Sequence, residues 1–118
     1  MLTQGLKTDK YELTMLQAFI EAGKHNDKAV FELFARKVPT TRNYGVVAGT
    51  ERAIKSILNF SFDEEELTYL SKHLNETTIN YLRNYKFSGT VKGYREGNYW
   101  FPYSPILTIE STLGEGVI

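Results

Sequence analysis

The sequence predicts a small α+β domain in which short helices pack with a mostly antiparallel sheet. Apolar residues recur at helical spacing near the start of the chain and between residues 50 and 86, which is the period of a helix with one buried face. Along residues 30–38 and 87–94 they alternate instead, which is the period of a strand. The 118 residues, with eight Tyr and seven Phe, suffice for a single packed domain, 1–118.

The first helix is predicted to begin after Asp9. The Asp9 carboxylate can accept from the free N–H groups of the first turn, and Glu12 stands where a capping-box partner belongs. The helix is predicted to end at Gly23, a residue type typical of that position. Its apolar stripe consists of Leu13, Leu16 and Ile20.

Two strands are predicted next. Residues 30–38 alternate in polarity and stop at Pro39, which cannot continue a hydrogen-bonded ladder. Residues 44–48 predict a second strand, which Gly49 interrupts.

Three short helices are predicted between residues 50 and 86. Their start signals are Thr50, the capping box formed by Asp63 with Glu66, and Asn75. Residues 87–94 then predict a strand that returns through a turn at 95–98 as a hairpin strand, 99–101, and a last strand follows at 106–110.

The composition argues against several classes of function. Fourteen Lys and Arg residues balance fourteen Asp and Glu residues, so the basic excess needed for nucleic-acid or acidic-membrane binding is missing. The absence of Cys excludes disulfides and thiolate metal sites, and His25 and His73 lack nearby acids at ligand spacing, so no metal site is predicted. With no signal pattern and no apolar run of membrane-spanning length, a cytoplasmic protein is expected.

Two groups of residues are candidates for ligand binding. Tyr11 lies on the first turn of the predicted helix, where the helix end attracts anions and a ring can stack on a flat ligand; the alternative is a Tyr packed at the core edge. Arg36, Lys37 and Arg42 lie within seven residues and can grip phosphate groups. The alternatives for this cluster are a solvated rim or a simple Glu32–Arg36 ion pair on one strand face.

A non-enzymatic alternative comes from the second half of the chain. The predicted hairpin at 96–102 and the strand at 105–110 look like half of a biotinyl or lipoyl carrier barrel. Carriers of that kind attach their group to a lysine at a tight turn, whereas Lys92 falls inside a predicted strand. A free-standing interaction domain is a further alternative.

A set of short segments covers nearly the whole chain in order. The first two are Thr8-Asp9-x-Tyr11-Glu12-Leu13-Thr14-Met15 and Ala29-Val30-Phe31-Glu32-Leu33-Phe34-x-Arg36-Lys37-x-Pro39. The later ones are Arg42-Asn43-Tyr44, Ala48-Gly49, Tyr81-Leu82, Phe87-x-Gly89, Glu96-Gly97, Phe101-Pro102 and Pro105-Ile106-Leu107. Together they resemble the N-terminal domain of the nicotinate phosphoribosyltransferase family, although Lys7 and Lys10 stand where that family usually has apolar residues.

The resemblance implies a hammerhead-type α+β domain that normally packs beside a C-terminal α/β barrel, which is absent from this chain. It implies an enzyme that makes nicotinate mononucleotide and diphosphate from nicotinate and phosphoribosyl diphosphate, with ATP and magnesium expected for the full-length protein. Tyr11 would stack on the nicotinate ring, Arg36 would face phosphates, and Asp9 would help orient the site. No catalytic residue and no cofactor are expected in this stretch, so the chain alone is expected to be inactive.

The resemblance also implies a partner subunit. The family forms head-to-tail homodimers through the barrel, in which the N-terminal domain of one subunit completes the site of the other. The nicotinamide and quinolinate phosphoribosyltransferases are sister alternatives that fit the segments around Tyr11 and Arg36 less well. The apolar end at 113–118 agrees with a fragment of a longer protein.

Overall fold

The computed structural model describes residues 5–118. After a 3₁₀ turn at Gly5–Lys7, the helices are α1 Lys10–Glu21, α2 Thr50–Leu58, α3 Glu64–Leu70, α4 Glu76–Arg83 and α5 Leu113–Gly116. The strands are β1 Lys28–Leu33, β2 Gly45–Val46, β3 Thr90–Gly93, β4 Tyr99–Trp100 and β5 Leu107–Thr112. None of the helices in residues 5–118 is long and apolar enough to cross a bilayer.

The strands form two antiparallel sheets, which confirms the predicted α+β class. One sheet has the order β1-β5-β3, and the other pairs β2 with β4. The predicted hairpin between β3 and β4 is wrong, because β3 pairs with β5 and β4 pairs with β2. Alternating polarity identifies a strand but not its partner. The turn after β3 bonds to the β2 segment, where Gly97 N–H donates to the Val47 carbonyl at 2.8 Å.

The first strand is shorter than predicted. β1 ends at Leu33, which pairs with Leu107, the first residue of β5. Beyond it, the carbonyl of Ala35 accepts from Tyr103 N–H at 2.8 Å in an irregular loop. Arg36 therefore lies in that loop, and the strand face predicted to hold both Glu32 and Arg36 does not exist. The second strand is also short, only Gly45–Val46.

Two of the predicted helix starts are confirmed in full. Asp63 accepts from Glu66 N–H at 2.8 Å while the Glu66 side chain accepts from Asp63 N–H at 3.0 Å, so the capping box is complete. Asn75 accepts from Thr78 N–H at 2.9 Å and caps α4. α1 also ends as predicted, since Gly23 has a φ of 68° and its N–H bonds to the carbonyl of Ile20.

The start of α2 is capped from a distant part of the chain. The N-cap is Gly49, in left-handed conformation with a φ of 91°, and not Thr50, which is the first helical residue. The Glu96 carboxylate accepts from Gly49 N–H at 2.9 Å and from Glu51 N–H at 3.1 Å. The prediction of a local Thr50 cap is wrong because a side chain across the fold satisfies the same amides.

The main apolar core lies among the helices. Leu16, Leu67 and Leu82 are almost completely buried at 0%, 1% and 1% exposure. The other buried members of this cluster are Leu13, Phe62, Leu70, Leu74 and Ile79. The three-stranded sheet packs at one side of this cluster through α5, which contacts α1, β1 and β5.

Candidate functional site

Tyr11 lies on the first turn of α1, and its side chain is 63% exposed. The alternative in which its ring packs at the core edge therefore fails. Its hydroxyl donates to Glu12 Oε1 at 3.4 Å. The charge of Glu12 is the main cause that raises the pKa of Tyr11 above its ordinary value of 10.0, with smaller effects from desolvation and from Asp9. The phenol thus stays neutral near pH 7, with its ring open to a ligand or partner.

Asp9 occupies the N-cap position of α1, with extended backbone (φ −69°, ψ 141°), but its side chain makes no capping hydrogen bond. The predicted capping role of Asp9 with Glu12 is therefore wrong. Glu12 instead accepts from the Tyr11 hydroxyl. The Asp9 carboxylate is exposed, and its charge contributes to the raised pKa of Tyr11.

Arg36 is exposed in the loop that follows β1, together with Lys37 and Arg42. Among residues 5–118, none of these three cations forms an ion pair with a carboxylate. The charges of the cluster are therefore available to an anionic group from outside the domain.

Hydrogen bonds at both ends of α1 show how the segment after β5 runs relative to this helix. Gly114 N–H donates at 2.8 Å to the carbonyl of His25, just past the end of α1. The hydroxyl of Thr8, just before α1, donates at 3.0 Å to the carbonyl of Ile118. Residues 114–118 therefore run along α1 from its end toward its beginning.

β1 runs in the same direction as this segment. Its first residue, Lys28, pairs with Thr112, and Gly116 lies against the ring of Phe31, farther along the strand. α1 and β1 therefore run in opposite directions. As a result, Tyr11 at the beginning of α1 and Arg36 beyond the end of β1 lie at the same end of the domain. Ligand binding by Tyr11, Asp9 and Arg36 stays a prediction.

Five exposed aromatic rings lie just after β1 and around β2 and β4, and sequence reasoning missed them. This aromatic surface has exposures from 41% to 69% and consists of Phe34, Tyr44, Tyr99, Phe101 and Tyr103. Phe34 and Tyr103 meet at 5.6 Å between centroids with 35° between their planes, and Tyr44 meets Tyr99 edge-on at 4.9 Å. The high aromatic content predicts a packed domain, and no signal in the sequence marks these five rings as exposed. Tyr103, between Pro102 and Pro105, has a φ of 65° in the structure.

Two other candidate chemistries find no support. Within residues 5–118, no group of three His, Cys, Asp or Glu side chains lies close enough together to hold a metal ion. Lys92, the lysine weighed for a carrier function, lies inside β3 and pairs with Glu110 at 2.6 Å. Lys92 therefore does not lie at a tight turn, which is where carriers of that kind attach their group.

Comparison with known proteins decides the family. The family model described as the nicotinate phosphoribosyltransferase (NAPRTase) N-terminal domain matches residues 6–118. The chain belongs to this family. It is 46% identical over 114 residues to nicotinate phosphoribosyltransferase pncB1 of Mycobacterium tuberculosis (strain ATCC 25618 / H37Rv), covering 97% of the chain and 25% of that relative. It is 39% identical over 113 residues to nicotinate phosphoribosyltransferase of Bacillus subtilis (strain 168), covering 94% and 23%.

Solved structures agree with this placement in the nicotinate phosphoribosyltransferase family. The crystal structure of human nicotinic acid phosphoribosyltransferase superposes with a TM-score of 0.84 at 27% identity, over 93% of the chain and 23% of that protein. That of nicotinate-nucleotide pyrophosphorylase from Pyrococcus furiosus superposes with a TM-score of 0.62 at 20% identity, over 93% and 21%, a likeness of fold alone. The chain thus spans about a quarter of the length of the curated relatives it matches.

Proposed function

We propose that this chain is the N-terminal domain of a longer nicotinate phosphoribosyltransferase that acts in NAD salvage. The complete enzyme would form nicotinate mononucleotide and diphosphate from nicotinate and phosphoribosyl diphosphate. The family match over residues 6–118, to relatives about four times as long, carries the proposal. In line with the family, the complete enzyme would work in the cytoplasm as a homodimer and would use ATP and magnesium.

The reaction defines what the site must supply. As diphosphate leaves C1 of the ribose, positive character develops at that carbon and negative charge accumulates on the departing group. The nicotinate nitrogen must be held in line with C1, and cations must cover the diphosphate. Both tasks depend on positioning and electrostatics, so side chains from a second subunit can perform them.

The domain would supply one wall of such a site. The exposed ring of Tyr11 would lie against the nicotinate ring, with Asp9 orienting it. Arg36, at the same end of the domain and without an ion-pair partner in residues 5–118, would approach the phosphates. The remainder of the pocket would come from the barrel, so the 118-residue chain alone should form no nicotinate mononucleotide.

The test uses the complete enzyme with Tyr11→Ala and Tyr11→Phe. Loss of a stacked ring, worth roughly 1–2 kcal/mol, predicts a KM for nicotinate that is higher by about fivefold to thirtyfold in Tyr11→Ala. Tyr11→Phe keeps the ring and should keep a KM near the original value. Steady-state kinetics with varied nicotinate measure both.

The control is Leu58→Ala, because Leu58 is also an exposed large apolar residue, at 56%, but lies at the end of α2. Its KM for nicotinate should stay unchanged. An unaltered KM in Tyr11→Ala would remove Tyr11 from the site. Product formation by the 118-residue chain alone would show that the other wall is not required.

A further inference from the structure

A cleft of about 460 Å³ lies between the beginning of α1 and the end of α3. Its floor is formed by Leu13, Leu70 and Leu74, which are 3%, 5% and 8% exposed and belong to the main apolar core. Small-molecule sites typically have volumes of roughly 300–1,000 Å³. The cleft therefore offers a preformed apolar floor with room for an aromatic ring.

One wall of the cleft is aromatic. Tyr69 is 51% exposed and contacts His73 edge-on, with 5.6 Å between ring centroids and 65° between ring planes. Lys72 Nζ lies 5.9 Å from the centroid of the Tyr69 ring. The Tyr69 ring therefore lines the cleft with part of its surface open to a flat ligand.

The rim of the cleft carries a positive charge but no carboxylate. Lys10 and His73 line it with Thr8, whose hydroxyl already donates to the Ile118 carbonyl, whereas no Asp or Glu does. Among residues 5–118, Lys10 takes part in no ion pair. An ammonium group beside an apolar floor, with no acid to neutralise it, favours a ligand that has an apolar body and an anionic head.

We propose that this cleft binds a small aromatic carboxylate, with the ring on the leucine floor beside Tyr69 and the carboxylate at the Lys10 ammonium. Tyr11, the residue after Lys10 in α1, points about 100° away from it and does not line the cleft. The cleft therefore neighbours the substrate site predicted at Tyr11 but has different lining residues. It does not depend on the proposed enzyme activity.

The test is a titration of the ¹⁵N-labelled 118-residue chain with benzoate, followed by ¹H–¹⁵N NMR. Amide shifts should concentrate at the residues that line the cleft. Benzamide, which has the same ring without the charge, should bind more weakly by about fivefold or more, as should benzoate to Lys10→Gln. Lys86→Gln, which removes an exposed lysine that does not line the cleft, should bind benzoate like the original chain.

Three results would overturn the proposal: shifts centred away from the residues that line the cleft or scattered over the surface, equal affinity for benzoate and benzamide, or unchanged affinity in Lys10→Gln. The titration involves no phosphoribosyl donor and no enzyme assay. A negative result therefore leaves the proposed transferase function standing, and an inactive full-length enzyme leaves the cleft proposal standing.

Discussion

The helices and the small β2–β4 sheet bury their apolar side chains to very different extents. The cluster between α1, α3 and α4 contains residues that are at most 8% exposed. The aromatic surface around β2 and β4 has rings that are 41–69% exposed. Both regions are rich in large apolar residues, yet of these two sets only the cluster between α1, α3 and α4 is enclosed within residues 5–118.

The difference indicates that the two regions contribute unequally to the stability of the domain. The helical region is stabilised by contacts within the domain. The aromatic surface exceeds the scattered exposure that is normal for single apolar residues. Its residues should therefore matter little to the stability of the domain itself.

The largest effect on the free energy of unfolding is expected from a cavity in the helical core. Leu16→Ala, at a residue with 0% exposure, should lower the free energy of unfolding by about 2–5 kcal/mol. Phe101→Ala, at 54% exposure, should change it by less than about 0.5 kcal/mol. Urea denaturation followed by circular dichroism measures both. Comparable losses would mean that the aromatic surface belongs to the same core.

The second-largest loss of stability should be confined to the β2–β4 sheet. The indole of Trp100 lies directly over Gly45 and leaves no room for a β-carbon. Gly45→Ala should cost about 1–3 kcal/mol through displacement of the ring. Trp100 is the single Trp of the chain, so its fluorescence reports on this region. The fluorescence transition of the variant should shift to lower urea more than the helical circular dichroism signal does; a shift of equal size would show one cooperative unit.

A smaller effect should appear at alkaline pH within the helical region. Burial is the main cause that raises the pKa of Tyr85 and of Tyr81, with Glu115 adding to both. An unfolded tyrosine ionises near pH 10 while the folded one stays protonated, so stability should be constant below about pH 10 and should fall above it. The slope is at most about 1.4 kcal/mol per pH unit for each residue, reduced by partial exposure to water.

Denaturation of the original chain and of Tyr85→Phe at about pH 9 and about pH 11 measures this contribution. The phenylalanine variant should lose less stability between the two pH values. Equal losses in both proteins would assign the alkaline sensitivity to other groups.

The smallest effect should distinguish two helix starts. Asp63→Ala removes a capping hydrogen bond to Glu66 N–H and should cost about 1 kcal/mol. Asp9→Ala removes no capping bond, so its cost should stay below about 0.5 kcal/mol. Thermal or urea denaturation of the two variants decides this, and an equal loss would mean that Asp9 stabilises α1 in another way.

The sequence predicted best where the signals are local. The capping residues Asp63 and Asn75 and the stop at Gly23 act on neighbours within a few residues, so their motifs specify the structure directly. α5 carries an equally local signal, the capping box of Thr112 with Glu115, but no helix is predicted there from the sequence. The helix was missed because four residues are too few to show apolar side chains repeating at helical spacing.

Strand pairing and the candidate site were harder to predict, since both depend on distant segments. That β5 lies between β1 and β3 cannot be read from alternation along any one of them. Tyr11 and Arg36 were placed as candidates by local chemistry and by family resemblance. Their position at one end of the domain follows only from the path of residues 114–118 along α1.

Because Glu96 caps the beginning of α2, that helix stays incomplete while the chain emerges from the ribosome. Glu96 follows Glu51 by 45 residues and Gly49 by 47. At a synthesis rate of roughly 5–20 residues per second, Glu96 is added about 2–9 seconds after the residues whose amides it caps. An isolated nine-residue helix is only marginally stable. We therefore expect α2 to become stable only after translation has passed the turn that follows β3.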